Sequence, residues 1–378
     1  TWTCDNIYLL DGYVFVNDGQ ALTIEPATVV KGMSGSGADA AAMIVARGGQ
    51  LFAEGTADCP IVFTHEADPL DGSVAFNERG QWGGVLVLGD APINLALGEG
   101  QAEGIPSEND RSSYGGNNPE DNSGVLRYVS IRHGGTQLGA ANEINGLTLA
   151  GVGSGTTIDH IEVLANEDDG IEFFGGTVQV NYAAVAFVGD DSFDWDQGFS
   201  GGGHHWFAIN EPGMGDRGGE LDGDDSPDVT PDGMPMAIPT VSNITLMGQG
   251  SAANKQGLLF RAGTGGHVSE VLMVGFGEGI ELEDLQAPTD AFDMWVNGDL
   301  TLVNIGMEDV NEVIDYDGVM DPGGDDGLDQ YAANNNIGAL ETGIDNAWNT
   351  NASGTEFTDP FNPVPNGNAS VFSQYGYM

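Results

Sequence analysis

Asn166–Gly176 reads NEDDGIEFFGG, and Val188–Gly198 reads VGDDSFDWDQG. Laid over each other at an offset of 22 residues, Asp168 falls on Asp190, Asp169 on Asp191, Ile171 on Phe193, Glu172 on Asp194 and Gly176 on Gly198. Just upstream, Ile161–Val163 falls on Ala183–Val185 with the same offset, and farther along Gly257–Ala262 (GLLFRA) falls on Gly279–Asp284 (GIELED), again 22 apart. Fixed-period self-similarity marks a repeat architecture, in which no unit buries its apolar residues alone and stacked units share one core. Short runs of Val, Ile, Leu and Phe punctuated by Gly, Asn and Asp read as strands and turns rather than helices. Three short strands per step predict an all-β, right-handed parallel β-helix. Alternation along a strand then puts Ile171 and Phe173 on one face and Glu172 and Phe174 on the other. A propeller would repeat every 40 to 50 residues or so. An antiparallel sandwich would need hairpin turns that the few Asn-Gly and Asp-Gly pairs between strands do not supply.

Outward from this core the pattern loosens. Apolar runs continue at Val125–Ile131, Leu147–Val152, Ile244–Met247, Val268–Val274 and Leu300–Ile305. Acidic, Gly-rich excursions interrupt them at Gly98–Ser123, Asn210–Pro239 and Asp315–Asn336. The expected organisation is a β-helix with an N-terminal capping segment over residues 1–337, followed by an irregular tail over 338–378. About ten to twelve turns at about 4.8 Å each give a rod about 50 to 60 Å long. The tail's Phe357, Phe361 and Phe372 are anchors for a neighbouring subunit, which predicts a homo-oligomer or filament.

Composition narrows the function. The 378 residues hold 58 Asp plus Glu against 9 Lys plus Arg, a formal charge of −49. Such a chain repels phosphate backbones and anionic bilayers, so nucleic-acid partners are excluded and membrane adhesion is disfavoured. No apolar run is long enough to insert as a membrane helix. With 40% apolar residues, 16 Phe and 6 Trp, the chain is too rich in core formers for an acidic disordered tail. The only lysines are Lys31 and Lys255. That surface suits a salty exterior, where carboxylates are screened or bind cations.

Two cysteines, Cys4 and Cys59, each precede a short apolar run, NIYLL and IVFT. Equivalent positions before two strands predict a Cys4–Cys59 disulfide and an oxidising compartment. The chain opens at Thr1 with no apolar leader, as expected of a mature chain whose signal peptide has been removed.

The order of the segments adds a resemblance. Asp11–Gly32 (DGYVFVNDGQALTIEPATVVKG), Gly48–Thr64 (GGQLFAEGTADCPIVFT), Gln81–Asn94 (QWGGVLVLGDAPIN), Tyr114–Gly135 (YGGNNPEDNSGVLRYVSIRHGG) and Asn142–Val163 follow one another ahead of the two aspartate motifs. This succession resembles secreted bacterial right-handed parallel β-helix surface proteins, of the kind often exported by type IX secretion. It covers about Thr1 to Phe276. The resemblance implies an extracellular or outer-surface location and the fold, and it carries no catalytic residues.

The aspartate motifs supply the candidate chemistry. If one step is one turn, Glu172, Asp194 and Glu220 form one outward column and Asp196 and Asp222 belong to a second. With Asp190 and Asp191 they make an oxygen-rich set suited to calcium. Like charges at strand spacing repel by about 1 kcal/mol per pair, which a cation relieves. Solvated carboxylates, or pairing with Arg217 and Arg261, are the alternative. A lyase would draw on Asp194, Asp196, Arg132 and Arg261, but no pair of carboxylates stands out, and the residues give no catalytic assignment. Asn351 and Asn368 head sequons in the tail. The reading is a non-enzymatic structural or adhesive cell-surface component with calcium-stabilised carboxylates. A polysaccharide-binding protein or a calcium-dependent polysaccharide lyase is the alternative.

Overall fold

The computed structural model describes residues 1–103, 105, 110–137, 144–223, 233–284, 290–318 and 327–339. Its strands run parallel and stack into three walls around one interior, and each wall is built by pairing strands a full turn apart. The first wall starts with Ile7–Leu10, Val29–Gly32 and Ile61–His65. It continues through the second halves of Gly124–Arg132, Thr157–Leu164, Gln179–Ala186, Gly202–Ile209 and Thr240–Met247. The second wall stacks Tyr13–Val16, Ala42–Val45, Val85–Leu88, Leu147–Ala150, Ile171–Phe174, Phe193–Asp196, Gly219–Asp222 and Gln256–Arg261. The third joins Ala21–Ile24 and Gln50–Glu54 to the first halves of the long strands. Gly266–Asp284 and Leu300–Gly318 pass through all three walls in a single turn each. The all-β parallel β-helix expected from the repeat is thus the fold.

Register explains the period. Ile171 pairs with Phe193, Glu172 with Asp194 and Leu259 with Glu281, each at the 22-residue step. Ile161 pairs with Ala183 likewise. Inward positions fill the core: Phe173 stacks on Phe199 at 4.4 Å, and Phe193 stacks on Trp206 at 4.7 Å. All four are buried, so each turn completes the next one's packing. Gly176 and Gly198 recur because the turn after the second wall takes positive φ, +84° and +77°. At Gly198 a Cβ would also lie 2.2 Å from the Pro235 carbonyl oxygen, so only glycine fits without strain.

The predicted disulfide is corrected. Cys4 and Cys59 are both exposed free thiols. Ile7 pairs with Val29, and Val29 in turn with Val62, so the segments after the two cysteines lie two turns apart, not one. Two inter-strand spacings come to about 9.6 Å, beyond the reach of a disulfide. The tail's sequons at Asn351 and Asn368 lie outside the described residues. No helix among the described residues is long and apolar enough to cross a membrane.

Candidate functional site

The outer surface of the second wall changes character along the rod. On its early turns Ile44, Leu86 and Leu88 are covered by Ile93 and Tyr114 of the inserted segment, and this dry patch ends at Phe174. Beyond it the outward positions are Glu172, Asp194 and Glu220, paired in register as one column. The column is the one predicted from the repeat.

Beside it, the corner leading into the wall contributes a second line of carboxylates. Asp191 donates its backbone N–H to Asp169 Oδ1 at 2.9 Å, and Arg217 donates its backbone N–H to Asp191 Oδ1 at 2.6 Å. The corner and the wall converge. Asp169, Glu172 and Asp194 each bring an oxygen within 4.8 Å of the others, and so do the groups Asp168, Asp169, Asp190 and Asp190, Asp191, Asp216.

Burial makes the first group chemically unusual. Asp169 and Glu172 are buried, and Asp194 is partly exposed but hides its Oδ1. Desolvation pushes the Asp169, Glu172, Asp191 and Asp194 carboxyls well above the ordinary range. Neighbouring charges add to it: Glu172 and Asp191 act on Asp169, Asp196 and Asp168 on Glu172, and Glu172 and Asp169 on Asp194. Asn145, from the turn below, donates its Nδ2 to Glu172. Its own Oδ1 and Asp194 Oδ1 are buried with no hydrogen-bond donor. Crowded carboxylates with spare acceptors call for a proton or a hard cation.

Higher on the face, arginines answer the carboxylates instead. Arg217 Nη1 lies 2.9 Å from Glu220, 3.0 Å from Asp216 and 3.4 Å from Asp191. Burial alone would lower the Arg217 guanidinium, but Asp191, Glu220 and Asp216 hold it above its ordinary value. Arg261 grips both Asp222 oxygens through Nε at 2.7 and 2.8 Å. Of the predicted metal set, Glu172 and Asp194 therefore meet in the crowded group, and Asp190 and Asp191 lie in flanking groups. Glu220 and Asp222 sit in ion pairs, and Asp196 faces outward next to them, adding to the field on Glu172.

Asp169, Asp168, Asp216 and Asn145 were missing from the predicted set. Asp169 had a signal, because it sits 22 residues before Asp191. Asn145 had none: it reaches Glu172 across 27 residues of irregular spacing.

Comparison with solved structures finds matches of low similarity. The enzymatically active domain of bacteriophage CBA120 tailspike protein 2 aligns at 13% identity and TM-score 0.28, covering 83% of this chain and 39% of that one. A GH87 α-1,3-glucanase catalytic domain aligns at 11% identity and TM-score 0.25, covering 82% and 61%. The N-terminal fragment of bacteriophage Phi29 gene product 12 aligns at 12% and 0.27, covering 82% and 58%. The chain thus spans less than two thirds of the length of each. No curated protein matches the chain. Residues 1–355 match the family described as pectate-lyase-like β-helix domain. This match overturns the expectation of a non-enzymatic protein, which rested on the absence of a single obvious catalytic pair, on a resemblance that carried no catalytic residues and on the −49 charge. Its carboxylate face is set on a scaffold shared well beyond this sequence, for the chain belongs to the pectate-lyase-like β-helix domain family.

Proposed function

We propose that the protein binds and cleaves an acidic polysaccharide on the outer face of the second wall, outside the cell, with a divalent cation as cofactor. One observation carries the reading: Asp169, Glu172 and Asp194 converge within 4.8 Å while spare acceptor oxygens remain buried beside them. The donor set is all oxygen, which fits calcium. Those three carboxylates would hold it, with the Asn145 amide oxygen close by. Bound there, the cation would neutralise substrate carboxylates that a chain of charge −49 would otherwise repel.

The remaining residues are read in supporting roles. Arg261 keeps about a third of its side chain exposed beside Glu220 and Asp222 and presents a fixed planar cation to a sugar carboxylate. Arg217 is held charged by three carboxylates, so it stabilises negative charge rather than accepting a proton. The dry patch ending at Phe174 bounds the site on one side.

A hydrolytic reading has its own support. Burial and neighbouring carboxylates make the Glu172 and Asp194 carboxyls hold their protons more tightly than ordinary ones in the absence of metal, the direction a general acid requires. Incubation with polygalacturonate separates the two. Elimination gives unsaturated ends that absorb in the ultraviolet, whereas hydrolysis gives new reducing ends without that absorbance. We expect absorbing products that require calcium; intact polymer under all conditions would end both readings.

A further inference from the structure

Opposite in character to the carboxylate face is the corner where the third wall bends into the first. From Gly124–Arg132 onward, each described turn makes this bend with one residue in the left-handed region. From Tyr128 (+48°) the column runs through His160, Tyr182, His205, Asn243, Glu270 and Asn304 to Asn336 (+58°). Register keeps these residues directly above one another. Its lower half is a stack of rings, with centroids 4.3 Å apart from Tyr128 to His160, 4.5 Å from His160 to Tyr182 and 4.8 Å from Tyr182 to His205. Its upper half is an amide ladder: Asn336 Nδ2 donates to Asn304 Oδ1 at 3.2 Å, and Asn304 Nδ2 donates to Glu270 Oε1 at 2.8 Å.

The ring stack ends where a groove begins. An open cavity of about 880 Å³ runs along the upper half of the column. His205 stands at one end, Asn243, Glu270, Asn304 and Asn336 line its side, and Thr245 and Gly306 lie on its floor. Five turns at about 4.8 Å give it about 19 Å of axial length, enough for several sugar units of an extended chain. Each turn above His205 offers one amide or carboxylate from the column, and an amide both donates and accepts, which matches the neighbouring hydroxyls of a pyranose. On the turn above His205 the column carries Asn243, so the ring stack gives way to hydrogen-bonding side chains there. Glu270 and the −49 charge of the chain oppose an anionic polymer.

We propose that this corner groove binds a neutral polysaccharide laid parallel to the rod axis, as a second glycan site on a different edge from the carboxylate face. It rests on the reading above only for the class of ligand. Both sites would engage a composite matrix together, the acidic chain on one edge and the neutral chain on the other, and linked engagement raises apparent affinity without new contacts.

Affinity gel electrophoresis of the intact chain tests it, with mixed-linkage β-glucan, galactomannan and, separately, polygalacturonate cast into the gel. At least one neutral polymer should retard the wild type. The Glu270→Ala/Asn304→Ala variant should weaken that retardation tenfold or more, and Thr245→Trp, which fills the floor and leaves the ladder intact, should do the same. Circular dichroism identifies any variant that fails to fold, and either variant suffices. Asp194→Asn on the other face should keep the neutral retardation, whether or not polygalacturonate is cleaved. The proposal is overturned if neither neutral polymer retards the wild type, or if retardation survives in folded variants of both kinds.

Discussion

Asp191 and Asp169 are 22 residues apart in sequence and one hydrogen bond apart in space, the backbone N–H of the later residue meeting the carboxylate of the earlier at 2.9 Å. The same contact fixes the stacking of two turns and places two carboxyls where neither is well solvated. Scaffold and site are therefore the same structure on this face, and removing charge from it has opposite effects on stability and on function.

The first prediction concerns pH. In the metal-free protein, Asp169, Glu172, Asp191 and Asp194 bind protons more tightly folded than unfolded. The folded state then holds more protons, and stability falls as pH rises from the ordinary carboxylate range through the raised values. Melting temperature without divalent ions should be higher at pH 5 than at pH 8. Calcium at about a hundred times its dissociation constant contributes about 2.7 kcal/mol, or about 3 to 4 °C for a chain of this length, and should offset the decline. A metal-free protein that gains stability between pH 5 and pH 8 would contradict the ladder's electrostatics.

A second carboxyl pair should titrate separately. Glu278 is raised to about 7, first by sharing a hydrogen bond with Glu281 and then by burial, while Gln256 Nε2 donates to Glu281 at 2.8 Å. Glu278→Gln keeps the hydrogen bond and removes the titrating proton, so the part of the stability decline between the ordinary glutamate value of 4.5 and about pH 7 should flatten. Unfolding midpoints in urea at half-unit pH steps would detect it, and an unchanged profile would refute the shared proton.

The core makes a third prediction. Phe173 packs between Phe199 and Trp206 at 4.4 and 5.8 Å with no exposed surface. Phe173→Ala should cost about 3 to 5 kcal/mol, read as a lower denaturant midpoint. A loss under about 1 kcal/mol would mean that the interior stack is not continuous.

Thiol titration supplies the fourth. Native protein, never exposed to reductant, should react with two equivalents of a thiol reagent at Cys4 and Cys59, since both are exposed. Zero equivalents would restore the disulfide that two-turn spacing rules out.

How much of this was legible in the sequence depended on whether chain spacing and spatial spacing coincided. Where two turns meet without an insertion, as at Glu172 and Asp194, the 22-residue offset gave the pairing directly. At Glu220 and Leu259 the intervening excursions change the step, and the motifs on either side still aligned both, Glu220 over Asp194 and Arg261 over Asp222. The disulfide failed for the same reason, because similar positions before two strands did not say how many turns separated them. The Tyr128-to-Asn336 column was invisible, since its members share a backbone angle rather than a residue type. At Glu220 and Asp222 the alternative of pairing with Arg217 and Arg261 was legible from the sequence, and both arginines reach these carboxylates across or along the turns.

Cleavage followed through removal and return of the cation tests the central claim most directly. Ultraviolet absorbance from polygalacturonate would be recorded on one sample with calcium, after chelation, and after calcium is restored, for the wild type and for folded Asp194→Asn. The account predicts wild-type product formation that stops on chelation and resumes on restoration, and a loss of a hundredfold or more in the variant. Equal rates in the two proteins, or product formation indifferent to the chelator, would contradict it.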